Sequence, residues 1–290
     1  MNTRIAPSPT GTMHLGTART AYFNWLAARS TGGKFILRID DTDLARNDDA
    51  HVDVIYDTMS WLGLDFDITF RQSQRLKRYA DMADAMVDAG YAIRKDDAVF
   101  FRSYDLTPID VWTDSICGII KCDNSIDGID KMVLIKSDGM PSYHFATVVD
   151  DIDYGIDWII RGVDHISNTV KHKYIAAAIC KIFPIAYTIK YSHVGLIHYN
   201  GKKMSKRDNV SGVDYYRDNG YLPGAVLNSM LMLGWGHPDS SFDSKYPIVD
   251  KDLAVVLFPQ GKMRNVDSKL NLQKMDWFNK KYKNILRNNV

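Results

Sequence analysis

RIAPSPTGTMHLGTARTAYFNWLAAR, residues 4–29, is followed after Ser30 and Thr31 by GGKFILRIDDTD, residues 32–43. Residues 3 to 7 and 34 to 39 (KFILRI) have the composition of short buried strands. Between them YFNWLAARS has helical apolar spacing, ended by the Gly32-Gly33 pair. Strand, helix, strand implies a parallel sheet. The turn into the helix carries Ser8, Thr10, Gly11, His14, Gly16 and Thr17. A Gly-rich strand-to-helix turn lets the backbone approach a phosphate at the helix N-terminus, and an imidazole there can donate to a charged oxygen. Taken alone, such a turn is more often a plain chain reversal.

The α/β texture extends outward from this unit. Helical patterns are expected around 48 to 62, with Asn47 as cap, and 75 to 89. From about 92 to 136 the chain changes to short β-like runs (AVFF, VWT, ICGIIKC, KMVLIK) broken by Asp, Gly and Asn, which reads as an inserted subdomain. WIIRG is then a buried strand, Ser167 to Phe183 a helix, and TIKYSHVGLI a further strand leading into a basic loop. After residue 207 the texture is helical, with YLPGAVLNSMLMLGW and KMDWFNKKYKNIL the clearest segments. The chain shows no internal repeat.

A chain of 290 residues, 46% hydrophobic, can bury one large core or two to three modest ones. No apolar run reaches about 18 residues, and MNTRIAPSPTG lacks the build of a signal peptide, so the expected location is the cytoplasm. Cys117, Cys122 and Cys180 suit a reducing compartment. No second Cys or Cys/His pair completes a zinc site, so no metal ligand set is expected from the protein. The net charge of +1 is not that of a global nucleic-acid binder. From Lys262 onward, however, Lys and Arg outnumber Asp267 and Asp276, an excess that could meet phosphates or simply form a solvated helix surface.

A second motif is GKKMSKRDN, residues 201–209. Lys202, Lys203, Lys206 and Arg207 crowd a Gly-led loop, and a mobile cationic loop suits a pyrophosphate whose charge grows in a transition state. Either motif alone has a bland reading. Together, at the first and last strands of one sheet, they are rarely an accident. His14-Leu15-Gly16-Thr17 and Lys203-Met204-Ser205-Lys206-Arg207 resemble the two signatures of class I aminoacyl-tRNA synthetases. RQSQRLKRY, VLIKSDGMPSYHFATVVDD, IIRGVDHISNT and LPGAVLNSMLMLGW look like blocks of the glutamyl-tRNA synthetase family, in the family's order and over nearly the whole chain.

The resemblance implies a Rossmann-type doubly wound parallel sheet with a short inserted subdomain and a C-terminal helical stem-contact domain. Its segments are a first catalytic half over 1–91, the insertion over 92–136, a second catalytic half over 137–207 and the helical part over 208–290. It implies that ATP, with Mg2+, and glutamate form glutamyl-adenylate, whose acyl group passes to the 3' end of tRNA. By match, His14, Gly16 and Thr17 belong to the first catalytic motif, with His14 and Gly16 toward ATP, and Lys203 and Lys206 stabilise the leaving pyrophosphate. Thr10 and Met204 complete the ATP side, Asp164 holds the ribose, and Leu196 and Ile197 offer backbone contacts to adenine. For glutamate, Arg161 fits the side-chain carboxylate because a guanidinium binds a carboxylate through two parallel hydrogen bonds. Arg4, Ser8 and Tyr143 match other amino-acid positions, and Asp40 the position that meets the substrate ammonium.

The insertion is short, has no four-ligand zinc set, and the chain stops after WFNKKYKNILRNNV, where bacterial members continue into an anticodon-binding domain. The expected partners are therefore L-glutamate and tRNA, met at its acceptor end and inner elbow and read largely by shape. No membrane is implied, and a monomer is expected. Two rivals are a glutamyl-queuosine tRNA(Asp) synthetase type and a non-catalytic ATP- or tRNA-binding partner protein. Intact His14, Lys203, Lys206 and Arg161 argue against the latter.

All 35 acidic residues are aspartates; the chain contains no glutamate. An ordinary chain of this length carries on the order of 15 to 20 glutamates. Glutamate is also the better helix former by a few tenths of a kcal/mol. Yet the expected helices use only aspartate, at Asp53, Asp57, Asp81, Asp84 and Asp88. The reading is a chain-level exclusion of glutamate, by design, special selection or an altered code. In RIDDTD the functional acid Asp40 is then one methylene short, its carboxylate withdrawn by roughly 1 to 1.5 Å.

Overall fold

The computed structural model describes residues 1–43, 47–103, 105–122, 129–239 and 247–288. The parallel-sheet layer begins with strand β1 (Thr3–Ile5), helix α1 (Leu15–Ser30), β2 (Phe35–Ile39), α2 (Asp49–Leu62), β3 (Ile68–Arg71) and α3 (Leu76–Asp88). The inserted region supplies β4 (Ala92–Lys95), β5 (Ala98–Phe101), β6 (Val111–Asp114), β7 (Gly118–Lys121) and β8 (Val133–Ile135). The layer resumes with α4 (Tyr143–Asp153), β9 (Trp158–Gly162), α5 (Ile166–Ile182) and β10 (Lys190–Val194). The basic loop lies on β11 (Ile197–Tyr199) and β12 (Lys202–Lys203), followed by α6 (Val213–Asp218), α7 (Pro223–Met232) and β13 (Trp235–Gly236). The chain then forms α8 (Lys251–Leu257), β14 (Lys262–Met263), β15 (Ser268–Lys269) and α9 (Leu272–Asn288).

The parallel strands run in the order β3, β2, β1 and, in a second sheet, β9, β10. Backbone bonds from Asp157 and Trp158 to the carbonyl of Asn2 bring β9 beside β1, so the spatial order is 3-2-1-4-5 in parallel strands. That is a doubly wound sheet, and its order reverses between β1 and β9. The ladder does not close there. Instead Asn24, buried on α1, donates to the carbonyl of Ile160 at 2.9 Å and accepts its amide at 3.4 Å, while Thr3 donates to the Asn24 carbonyl at 2.7 Å. A side-chain amide has the donor and acceptor that a missing strand neighbour would supply. The two half-sheets thus part where a ligand crevice is expected.

Helix α1 starts where His14 caps it, its ring accepting from the Gly16 amide, and it is buried on nearly every side. A helix apolar all round belongs in a core. One hydrophobic cluster packs α1, α2, α7 and α8 on one face of the sheet. A second joins α3, α4 and α5 with β5 and β8, and a third packs on the other face of the sheet through Ile36 of β2, Ile159 of β9 and Tyr191 of β10. Residues beyond 207 therefore share the first core rather than forming one of their own. Arg19 of α1 reinforces this by donating to the carbonyls of Leu233 and Gly195.

Several local readings change. Asp48, not Asn47, caps α2, because its carboxylate reaches the Ala50 amide at 2.9 Å. TIKYSHVGLI is two strands rather than one. β10 ends at Val194, and Gly195 lies against the backbone of Val266, too close for any side chain. The insertion is also not wholly separate: the antiparallel hairpin of β6 and β7 lies along β10, with the Ser115 amide on the Tyr191 carbonyl.

Candidate active site

A cleft of about 360 Å³ opens at the carboxyl ends of β1, β2 and β9, over the split in the sheet. Of the residues matched to catalytic, ATP or glutamate positions, all but Thr10 and Lys206 line it. Those two lie together at its mouth, where Lys206 Nζ donates to the Thr10 carbonyl at 2.9 Å and hydroxyl at 2.8 Å. The chain thereby closes the basic loop onto the first turn across nearly two hundred residues of sequence.

On the motif side, His14 Nδ1 accepts from the Gly16 amide at 3.0 Å. Its proton therefore sits on Nε2, leaving a donor. Burial, then Lys206, pushes the imidazole below its ordinary pKa, so it is a neutral donor near pH 7. A methyl at Gly16 would come within 3.1 Å of the same nitrogen. Lys203 Nζ reaches Asp164 at 3.1 Å, both side chains about half exposed. Asp164 follows β9 in the short turn Val163–His165, and a Cβ at Gly162 would fall 2.4 Å from its carboxylate. Thr17 lies in the first turn of α1, and Met204, buried in the core, follows Lys203. Both Leu196 backbone groups are already engaged: its amide donates to Asp267 at 2.8 Å and its carbonyl accepts from Ser268 at 2.8 Å. The Ile197 carbonyl accepts from Met204.

On the other side, Arg161 leaves the end of β9 with 6% of its surface exposed. Its Nε donates to His193 Nε2 at 3.1 Å, one terminal nitrogen to Thr169 at 2.6 Å, and the other lies 3.4 Å from His172 Nδ1. These partners are neutral acceptors. Among the described residues no carboxylate forms an ion pair with Arg161. Burial correspondingly pulls its pKa below the ordinary arginine value. Tyr143 opens α4 at the rim, 39% exposed, and Ser8 is exposed in the turn.

Asp40 is placed differently. Both of its oxygens face Arg38, two residues earlier on β2, at 2.6 and 3.2 Å. Arg38 is almost wholly buried and also reaches Asp151 at 2.9 Å and Asp150 at 3.8 Å. Asp151 takes both Arg4 contacts at 3.2 Å, and Asp150 accepts from Gln72, Arg75 and Tyr79. Burial pushes the Asp40 carboxyl up to about 6, against the pull of Arg38. Arg38, Asp150, Asp151, His172 and His193 were not singled out from sequence. Strand periodicity could have found Arg38, since residues i and i+2 share a face.

These elements, a split doubly wound sheet with a capped His-Leu-Gly-Thr turn facing a Lys-Met-Ser-Lys loop, define a class. The chain belongs to the class I tRNA synthetases (E and Q): the model of their catalytic domain matches residues 1–99 and 101–277. Among individual relatives it is 37% identical to a glutamate–tRNA ligase of Nitrosomonas eutropha over 98% of this chain and 67% of that protein. It is 42% identical to glutamate–tRNA ligase 2 of Neorickettsia sennetsu over 86% and 59%. The chain spans about two thirds of the length of the first of these relatives. A crystal structure of a glutamate tRNA ligase from Elizabethkingia meningosepticum, in complex with its amino acid, superposes with a TM-score of 0.83 at 27% identity, covering 98% of this chain and 70% of that one.

Proposed function

We propose that the chain is a glutamate–tRNA ligase: it activates L-glutamate with ATP to glutamyl-adenylate and passes the acyl group to the 3' end of tRNA. The observation that carries this reading is Arg161, a buried guanidinium on the cleft wall whose partners are neutral. A buried cation of this kind is stabilised by an anion that brings two oxygens, and a side-chain carboxylate does so. An amide would leave part of the guanidinium facing an N–H, which disfavours glutamine as substrate.

In the first step an oxygen of the substrate α-carboxylate attacks the α-phosphorus of ATP, and pyrophosphate leaves with the bond's electron pair. The protein's part is positioning and charge neutralisation. His14 offers its Nε2–H to a phosphate oxygen, its Nδ1 being occupied by the Gly16 amide. Lys203 and Lys206 hold the departing charge. Asp164 binds the ribose once Lys203 turns to phosphate, and Met204, Leu196 and Ile197 flank the base. Mg2+ would be held chiefly by the ATP phosphates and would supply charge neutralisation there. Among the described residues no group of three His, Cys or Asp side chains is placed to hold it alone. Asp40, with Ser8, Tyr143 and Arg4 around it, takes the ammonium and α-carboxylate end. In the second step a terminal ribose hydroxyl attacks the acyl carbon and AMP leaves.

Labelled glutamate, ATP and either unmodified or queuosine-containing tRNA test this. Ester-linked label on the terminal adenosine of unmodified tRNA(Glu) is expected. Label only on queuosine-containing tRNA(Asp) overturns it, and pyrophosphate exchange without an acceptor reduces the chain to an activating domain. No helix among the described residues is long and apolar enough to cross a membrane. We place the chain, as a monomer, in the cytoplasm with its tRNA.

A further inference from the structure

Arg161 is aimed by an acid from outside the catalytic layer. Asp114 ends strand β6 of the inserted hairpin, fully buried, and its Oδ2 lies 2.7 Å from His193 Nδ1. Because an arginine Nε–H only donates, the contact from Arg161 Nε requires His193 Nε2 to be the acceptor. The ring's one proton is therefore on Nδ1 and donated to Asp114. Asp114 and His193 thus fix each other's hydrogen-bonding roles and with them one edge of the guanidinium. Tyr191, two residues before His193 on β10, stacks with that ring at an interplanar angle of 7°, and the guanidinium carbon lies 5.7 Å over the Tyr191 ring.

We propose that Asp114 and His193 are positioning residues for amino-acid selection, holding Arg161 in the orientation that accepts a carboxylate and rejects an amide. The inference rests on the glutamate reading above and adds a second task to the inserted hairpin. A purely structural role does not account for the arrangement. To pin the hairpin, Asp114 already accepts from the backbone amides of Ile116 and Cys117 at 2.8 Å and of His193 at 3.1 Å. The ring's second nitrogen, turned onto Arg161, adds nothing to that attachment. The relay also keeps charge off the guanidinium: a carboxylate placed directly on Arg161 would neutralise it, whereas Asp114 acts one imidazole away. Burial holds His193 below its ordinary pKa despite Asp114, and the bonds from His193 and the Cys117 and Ile116 amides hold Asp114 low despite its own burial.

The test is ATP–pyrophosphate exchange with glutamate and with glutamine for the intact chain, Asp114→Asn, His193→Leu and His193→Gln. With Asn at 114 an amide can donate to Nδ1, moving the ring proton to Nε2 against Arg161. Both Asp114→Asn and His193→Leu are expected to raise KM for glutamate by about tenfold to a hundredfold. They should also shrink the glutamate-over-glutamine ratio of kcat/KM, while KM for ATP stays at its original value. His193→Gln, whose amide oxygen can stand in for Nε2, recovers most of the loss. Imidazole 15N shifts of the intact chain should give the Nδ1–H tautomer for His193 whatever the activity. Unaltered glutamate KM and ratio in folded Asp114→Asn and His193→Leu overturn the inference and leave the proposed function standing. An Nε2–H tautomer overturns it too. An intact chain that activates no glutamate at all overturns the proposed function, and the selection role with it.

Discussion

Arg38 and Arg161 are both buried arginines at the carboxyl ends of parallel strands, one on each side of the split sheet, yet their surroundings are opposites. Arg38 touches three aspartates: Asp40, just past the end of its own strand, and Asp150 and Asp151 of α4. Arg161 touches two histidines and a threonine. The first charge is consumed within the fold, tying β2 to α4 and, through Asp150, to α3. The second is oriented but left uncompensated. Burial of a charged side chain is therefore no guide to its role; the charge of its partners is. Of these two, the guanidinium neutralised by the protein ties elements of the fold together, and the one on the cleft wall with neutral side-chain partners is left for a ligand.

The comparison can be broken by mutation. Arg38→Ala leaves the buried Asp40 carboxylate without its partner and removes a cation from Asp150 and Asp151, which keep Arg75 and Arg4, so we expect it to destabilise the chain by about 3 to 5 kcal/mol, read from its denaturation midpoint. Arg161→Gln removes a buried cation that has no carboxylate on it, and stability should be unchanged or improved. Its glutamate kcat/KM should nevertheless fall by about a hundredfold or more, with KM for ATP little altered. If Arg161→Gln unfolds the chain as Arg38→Ala does, the two environments are not different in kind.

Asp40 sharpens the contrast because it faces both ways, paired with Arg38 and lining the cleft. Its carboxyl, raised to about 6 chiefly by burial, takes up a proton in the folded chain before the unfolded chain does. Its contribution to stability is thus fully present at low pH and is lost as pH rises through about 6. Binding of the substrate ammonium, the role proposed for Asp40, has the opposite sign, because it needs the ion. KM for glutamate should climb as pH drops below about 6, approaching about tenfold per pH unit, while KM for ATP in the same buffers stays level. The smallest effect we expect is from Asp40→Glu. A side chain longer by roughly 1 to 1.5 Å can keep one oxygen on Arg38 and carry the other toward the cleft, lowering the glutamate KM by a few-fold. A raised KM would mean that the site is already built around the shorter acid.

Much of this was legible in residues 1–43 and 201–209. Short apolar runs, a Gly-rich turn and a basic loop are local signals, and the cleft collects the residues they marked. The partners of those residues were not legible, because they come from distant segments. Asp114 and His193 are separated by 79 positions, and nothing around VWTD distinguishes a carboxylate that orients a catalytic-layer histidine from one in a hairpin turn. Asp150 and Asp151 sit with Asp153 at the end of a helix, a pattern that can equally be a solvated edge. The parting of the sheet between β1 and β9 depends on one asparagine in α1, whose alternative reading is an ordinary helix residue.

That asparagine also bears on the order in which the molecule is built. The strands β1, β2 and β3 and helix α1 all lie within the first 71 residues, so their contacts close over short spans of chain. Asn24 finds Ile160 only across 136 positions, and Arg19 finds Gly195 and Leu233 across 176 and 214. Long closures come slowly and follow local ones. The two walls of the cleft are accordingly expected to meet late in folding, after each has formed. Pulse-labelled hydrogen exchange would follow this directly: the amides of β2 should gain protection before that of Ile160, and simultaneous protection would contradict the order. On this view α1 is the seam of the molecule, an early helix that carries the two polar side chains along which the late halves are stitched.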